Sequence, residues 1–262
     1  MRFLRAISWV VLTITAVFYL VPMLAMARFS FQRIPVIKLA PDNIFSKWTI
    51  EPLLSTFADP NFRRAAALSL MLAVATAVMT SVLLVPTMVA AHLHSPRARK
   101  LIEVSAVLPF VVPAIALVVG FAGTFRDTIP FFIRNPLGLV PLYVITALPF
   151  THRTLENGLV ALDLRTLVNA SRSLGAGWVR TMVLVIAPNM RASIATASFL
   201  AFTVVIGEFT IASLLLKNTL PLYLSYAQGQ NPQGSFALGL VLVVLSTVFV
   251  ALSNRFARSV TT

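Results

Sequence analysis

The chain has 262 residues, of which 58% are apolar and only 11% charged, with a mean hydropathy of +0.89. Soluble domains carry about 25% charged residues, so a water-soluble globular class is excluded and lipid must supply much of the solvent. The formal charge of +13 sits mostly between apolar runs, as topology signals and contacts to membrane lipid headgroups require, and this speaks against nucleic-acid binding.

A membrane-spanning helix needs roughly 20 mainly apolar residues, and the sequence predicts six, at about 6–27, 65–91, 101–124, 136–158, 189–215 and 234–254. The first comes after Met1-Arg2-Phe3-Leu4-Arg5 and ends in Ala25-Met26-Ala27, which has the look of a cleavage site. Its apolar run is longer than the about 7–15 residues of a signal peptide, so an uncleaved signal anchor is favoured. The fourth span ends near Phe150, because Thr151, His152, Arg153 and Glu156 crowd the next turns, and the chain continues as an exposed helix. The expected fold is therefore all-α: a polytopic membrane protein of six transmembrane helices in one domain, 1–262, with a core over 60–255.

The short basic loop Arg97-Ala98-Arg99-Lys100 and the basic segment 152–191 fall on the same side. By the positive-inside rule that side is cytoplasmic, which puts both termini there too. Prolines punctuate the spans at 22, 86, 109, 113 and 149. Each removes a backbone donor, tolerable in a bilayer only where neighbouring helices or cavity water compensate. The Pro109…Pro113 pair predicts either a broken helix lining a path or a kink that improves packing. Zero cysteines exclude disulfides and thiolate sites. Of three histidines, His92 and His94 fall in a loop and read as interfacial rather than metal-ligating.

Residues 159–188 carry the most specific message. Val160, Leu164, Leu167, Val168, Ser171 and Leu174 recur on one face of an amphipathic helix, with Asp163, Arg165, Asn169, Arg172 and Ser173 on the remainder. Gly175 then terminates the helix. A second short helix runs through Trp178, Met182 and Val185 until Pro188. The pattern predicts a helix–turn–helix elbow with one polar face left for a partner.

Here the sequence resembles the permease family of ABC importers. Their cytoplasmic signature is Glu-Ala-Ala, three residues, Gly, nine residues, then Ile-x-Leu-Pro; this chain has Asn169-Ala170-Ser171, Arg172-Ser173-Leu174, Gly175, and then Val185-Ile186-Ala187-Pro188. The spacing is kept in full, while Asn169 replaces the usual Glu, Ser171 an Ala and Ala187 a Leu. The resemblance, over roughly 60–255, implies a type I importer permease whose elbow couples to a separate ATPase subunit through Asn169, Ala170, Ser171, Arg172, Gly175 and Pro188. With Asn at 169, a charge-assisted contact becomes a weaker neutral one. ATP and Mg would be bound by an ATPase subunit dimer, since no G-x-x-x-x-G-K-[ST] loop occurs in this chain. No Ser-His-Asp or paired-carboxylate constellation suggests an enzyme. A second permease subunit forming a heterodimer, an extracytoplasmic substrate-binding protein and a bacterial inner-membrane location are further implications of the family.

Glu208 stands within the fifth span, in Val205-Ile206-Gly207-Glu208-Phe209-Thr210. A carboxylate there costs several kcal/mol and is a candidate pathway residue; otherwise it is hydrated at the interface or paired with an arginine. On a continuous helix from Met190 it would lie about 28 Å along the axis, nearer the outer side. Glu103, beside Lys100, reads as a helix-start charge. The Gly-Glu-Phe run resembles several importer branches, those for polyamines, ferric iron, thiamine, phosphonates, sulfate and molybdate, and so does not separate cationic from anionic cargo. The 28–64 loop, with Pro35, Trp48 and Pro52, is similar to that of polyamine-type permeases, and within the polyamine, iron and phosphonate branches a polyamine is the expected cargo. An ion-coupled secondary transporter is the main rival. It would need several intramembrane carboxylates or matched broken helices, and only Glu208 is plainly intramembrane.

Overall fold

A computed structural model describes residues 2–32, 34, 38, 40–43 and 46–259, with side chains over 7–244 of these and at Thr247. The two ends expected to be cytoplasmic, Met1 and 260–262, lie outside the described residues, as do Arg33 and Pro35. The principal helices are α1 Arg2–Phe31, α2 Glu51–Ala58, α3 Pro60–His94, α4 Pro96–Val111, α5 Ala114–Thr128, α6 Val140–Val160, α7 Leu164–Ser173, α8 Trp178–Asn189, α9 Arg191–Ile206, α10 Thr210–Leu214, α11 Leu220–Ala227 and α12 Pro232–Ser259. Apart from one antiparallel bridge between Gln32 and Trp48, regular structure among the described residues is helical.

The chain divides into two compact units, residues 1–63 with 223–262, and residues 64–222. In the first, α1 and α2 pack against α12. α1 is apolar all round, and from Ile7 to Leu24 its large side chains are exposed, as a helix facing lipid should be. At the start of α3 the Tyr223 hydroxyl donates to the Asp59 carboxylate at 2.7 Å. That bond, with the Asn61 backbone amide, holds Asp59 below the usual carboxylate range, and burial raises Tyr223 to about 12. The stabilisation from Asp59 is complete above the ordinary Asp value and is lost as pH falls through its lowered one. That from Tyr223 is complete below pH about 10 and is lost as pH rises toward 12. In pH-dependent thermal unfolding in detergent, Tyr223→Phe is expected to flatten both limbs; unaltered limbs would deny the pair a role.

The second unit holds α3, α6 and α9 side by side. Small residues make their contact: Ala77, Ala147 and Ala201 are buried together, and Ser81 and Ser198 share a hydrogen bond of 2.8 Å. In a bilayer, close backbone approach and interhelical hydrogen bonds replace hydrophobic burial as the force between helices. Gly158 meets Ser193 so closely that a Cβ would collide with the serine side chain.

Two expected spans are not single helices. The 101–124 span breaks at Val112, and α4 and α5 diverge by 105°. Pro113 forces the residue before it into extended backbone, with φ −88° and ψ 117°. The Pro109…Pro113 pair therefore produces a break rather than a kink. The 189–215 span is helical as α9 only from Arg191 to Ile206 and breaks over 207–209 before α10; α8, which precedes it, meets α9 at 85° across Met190. Among the described residues two helices, Ile7–Phe31 and Pro60–His94, are long and apolar enough to cross a membrane, or four spans if each bent pair counts as one. The fourth and sixth expected spans fall on α6, of 21 residues, and within α12.

Candidate functional site: the elbow and the break at Glu208

The elbow forms over α7 and α8. Asp163 caps α7: its carboxylate accepts from the Thr166 amide at 3.3 Å and the Thr166 hydroxyl at 2.7 Å, satisfying one orphan donor of the first turn. These bonds hold the Asp163 carboxyl below its usual range. At the other end Gly175 has φ +78°, its amide donates to the Arg172 carbonyl, and the Ala176 amide donates to that of Ser171. This is a complete Schellman stop, which requires a left-handed residue at that position.

α7 buries Leu164, Val168 and Ser171. Leu164 and Val168 join a core with Leu84, Met88 and Val89 of α3, Leu155 and Leu159 of α6, and Met182 and Ile186 of α8. The elbow is thus packed rigidly onto the helical bundle. Two positions expected on its apolar face lie elsewhere. Val160 ends α6, before the turn at 161–163, and is exposed; Leu174 comes just after α7 and is 88% exposed. A helical period cannot anticipate where one helix stops and the next starts.

Of the expected coupling residues, Asn169, Ala170, Arg172, Gly175 and Pro188 are exposed. Ser171 faces inward: it is 6% exposed, and its hydroxyl bonds to Thr181 Oγ1 at 2.9 Å. Where the resemblance would have Ala, this chain therefore has an internal tie between α7 and α8. Near Pro188 the helix widens into a π turn over Met182–Ile186. Proline lacks the amide that would bond four residues back, and the slackened ladder permits the wider turn.

Glu208 sits in the gap between α9 and α10 rather than on a continuous helix. Its carboxylate accepts from the Ile211 amide at 2.9 and 3.1 Å and from the Ala212 amide at 3.3 Å. It satisfies the donors exposed by the break with backbone partners, not an arginine. The buried Tyr143 hydroxyl makes no hydrogen bond of ordinary geometry and has this carboxylate as its charged neighbour.

A third cluster has no motif behind it. Glu156 of α6 accepts from Arg99 Nε at 3.0 Å and lies 3.2 Å from His92 Nε2, with His152 buried close by. It clasps α3, α4 and α6 at the end that carries the elbow. In the sequence these residues are 57 and 64 positions apart, so only the bundle brings them together. Among the described residues no group of three or more His, Cys, Asp and Glu is placed to hold a metal.

Long apolar helices, broken spans and an elbow packed on the bundle are the build of an integral membrane protein. Residues 98–262 match the family described as binding-protein-dependent transport system inner membrane component, and the chain belongs to that family. It is 31% identical over 218 residues to a putative ABC transporter permease protein, ORF1, of Streptomyces antibioticus, covering 79% of this chain and 92% of that one. Against the molybdate/tungstate transport system permease protein WtpB of Thermococcus kodakarensis it is 28% identical, covering 78% and 82%. The fold matches a crystal structure of a bacterial ABC transporter involved in the import of the acidic polysaccharide alginate. The TM-score is 0.73 at 17% identity, over 97% of this chain and 96% of that one. The chain is an ABC importer permease subunit, of a transport family rather than an enzyme family, and the family implies ATPase and substrate-binding partners. None of these relatives supports the polyamine expectation.

Proposed function

We propose that this subunit forms half of the translocation pathway of an inner-membrane importer for a small oxyanion of the molybdate class, driven by a separate ATPase dimer that docks on the elbow. The observation that supports coupling is the elbow itself. Asn169, Ala170, Arg172 and Leu174 face outward from a helix capped by Asp163, stopped by Gly175 and tied from behind by Ser171 and Thr181. A docking surface transmits motion only if its backing is stiff, and burial of Leu164 and Val168 in the bundle core supplies that stiffness. ATP and Mg belong to the ATPase partner. A second permease completes the path as a heterodimer, an extracytoplasmic binding protein delivers cargo, and both termini are cytoplasmic.

The oxyanion reading draws on the names of the archaeal relatives. It also draws on Glu208, whose carboxylate is occupied by backbone amides. Uptake of labelled molybdate and of labelled putrescine, per inserted molecule, tests it. Glu208→Gln keeps an acceptor oxygen for the Ile211 amide and is expected to leave molybdate uptake within about twofold. For a cationic cargo a lost charged contact worth about 1–3 kcal/mol would lower uptake roughly 5- to 150-fold. Putrescine uptake that collapses in the Gln variant would overturn the oxyanion assignment and reinstate Glu208 as a cation-binding pathway residue.

A further inference from the structure

The last turn of α3 holds His92 and His94, at the end of a helix where unpaired carbonyls favour a cation. Both rings fold back on the helix: His92 Nδ1 lies 2.9 Å from the Met88 carbonyl and His94 Nδ1 3.0 Å from that of Ala90. His92 also reaches across to α6, where its Nε2 lies 3.2 Å from Glu156 Oε1. A carbonyl and an ionised carboxylate only accept, so each ring nitrogen of His92 must bring a hydrogen. Neutral imidazole has one N–H, and either tautomer sets a lone pair against an oxygen. The imidazolium satisfies both contacts.

Nε and Nη2 of Arg99 donate to the same Glu156 oxygen, while Oε2 is buried without a hydrogen bond. Arg99 therefore balances the Glu156 charge by itself, and neutrality does not hold the His92 proton in place. When that proton leaves, the tie between α3 and α6 goes and the tie between α4 and α6 stays. The other ionisable groups at the cluster are Glu103 of α4 and His152 of α6, the latter 8% exposed. α7 and α8 meet this end of α3 through Val168, Met182 and Ile186.

We propose that His92 is a proton-dependent positioning residue for the elbow: as the imidazolium it ties α3 to Glu156, one turn before α6 ends at Val160 and the chain turns into α7. Leu155 and Leu159 of this same stretch hold Leu164 and Val168 of α7 in the core, so a shift at the end of α6 moves the elbow with it. The tie is present on the acid side and is lost as pH rises through the histidine range, between about pH 5 and 8. It belongs to this chain alone and is indifferent to cargo; only its effect on the ATPase rests on the coupling proposed above.

The test uses the whole chain, labelled with nitrogen-15 histidine and assembled with its ATPase subunits in lipid nanodiscs. Nitrogen NMR should show His92 with two N–H groups at about pH 6 and one at about pH 8, with His92→Gln supplying the assignment. On the same assemblies, permease-dependent ATP hydrolysis is divided by that of His92→Gln at each pH, which cancels the titration of the ATPase itself. Glutamine keeps a donor for Glu156 that does not titrate. The ratio for the parent should fall by about 2- to 10-fold across that interval, the worth of one hydrogen bond. His92→Phe, with no donor, should give the lower value at both ends, and His94→Gln should follow the parent. A single N–H on His92 at the acid end would overturn the imidazolium. A constant ratio while His92 titrates would deny it the positioning role and leave the elbow's docking untouched. A pH profile that survives in His92→Phe would move the titration to another group, His152 first, and overturn the proposal. Absence of permease-dependent hydrolysis in the parent would count against the coupling reading, and the NMR result alone would then uphold or overturn the tie.

Discussion

Gly175→Pro should reduce cargo uptake more than about tenfold while the protein still inserts and is recovered at normal levels. The residue sits at φ +78° and donates its amide to the Arg172 carbonyl. Proline fixes φ near −65° and has no amide, so the variant loses both the left-handed turn and its hydrogen bond, and α7 can no longer stop where it does. The damage stays local, because Leu164 and Val168 still anchor α7 in the bundle. Gly175→Ala separates conformation from space: a Cβ there meets nothing within 4 Å, so only the left-handed backbone strain remains, about 1–2 kcal/mol. Gly175→Asn, which tolerates that region better, should be milder still. The measurement is uptake per inserted molecule together with ATPase stimulation by cargo. Uptake ordered Gly, Asn, Ala, Pro would track the turn; full uptake by the Pro variant would remove the elbow from the mechanism.

The elbow was legible because its signals are local. Asp163 before an apolar period, Gly175 after it and Pro188 at the end of the next helix are each satisfied within a few residues of chain. The break at Val112 had a local cause as well, in Pro113. The features that escaped were tertiary. Glu156, Arg99 and His92 meet only because α3, α4 and α6 converge. Leu174 matched the buried stripe by period but lies past the last turn of α7, where the chain has already swung outward. The fate of Glu208 turned on a helix break for which Gly207 gave a weak hint, and the depth of about 28 Å expected from a continuous helix fails for the same reason. Cargo was illegible in a stricter sense: the Gly-Glu-Phe run shows that a carboxylate is present but not that its oxygens accept from the Ile211 and Ala212 amides, which only the break between α9 and α10 arranges.

Leu174→Asp is expected to weaken association with the ATPase subunit by roughly 30- to 1,000-fold. At 88% exposed, Leu174 is the largest apolar side chain at the elbow's tip, flanked by Arg172, Ser173 and Gly175. An isolated apolar group in water at a polar tip gains when it is buried in a partner's pocket. Hot spots of that kind cost about 2–4 kcal/mol when lost, which is the stated range in affinity. Aspartate at this place also sets a negative charge beside the last carbonyls of α7, the end of a helix that favours cations. The size of the effect should therefore exceed that of Leu174→Ala, and Leu174→Met, which keeps the apolar volume, should bind within a few-fold of the parent. Affinity is read by titrating the purified ATPase onto permease in detergent, with thermal unfolding of the permease measured alongside. Equal binding by the Asp variant, at unchanged permease stability, would mean that the tip of the elbow lies outside the ATPase groove and that docking rests on Asn169, Ala170 and Arg172 alone.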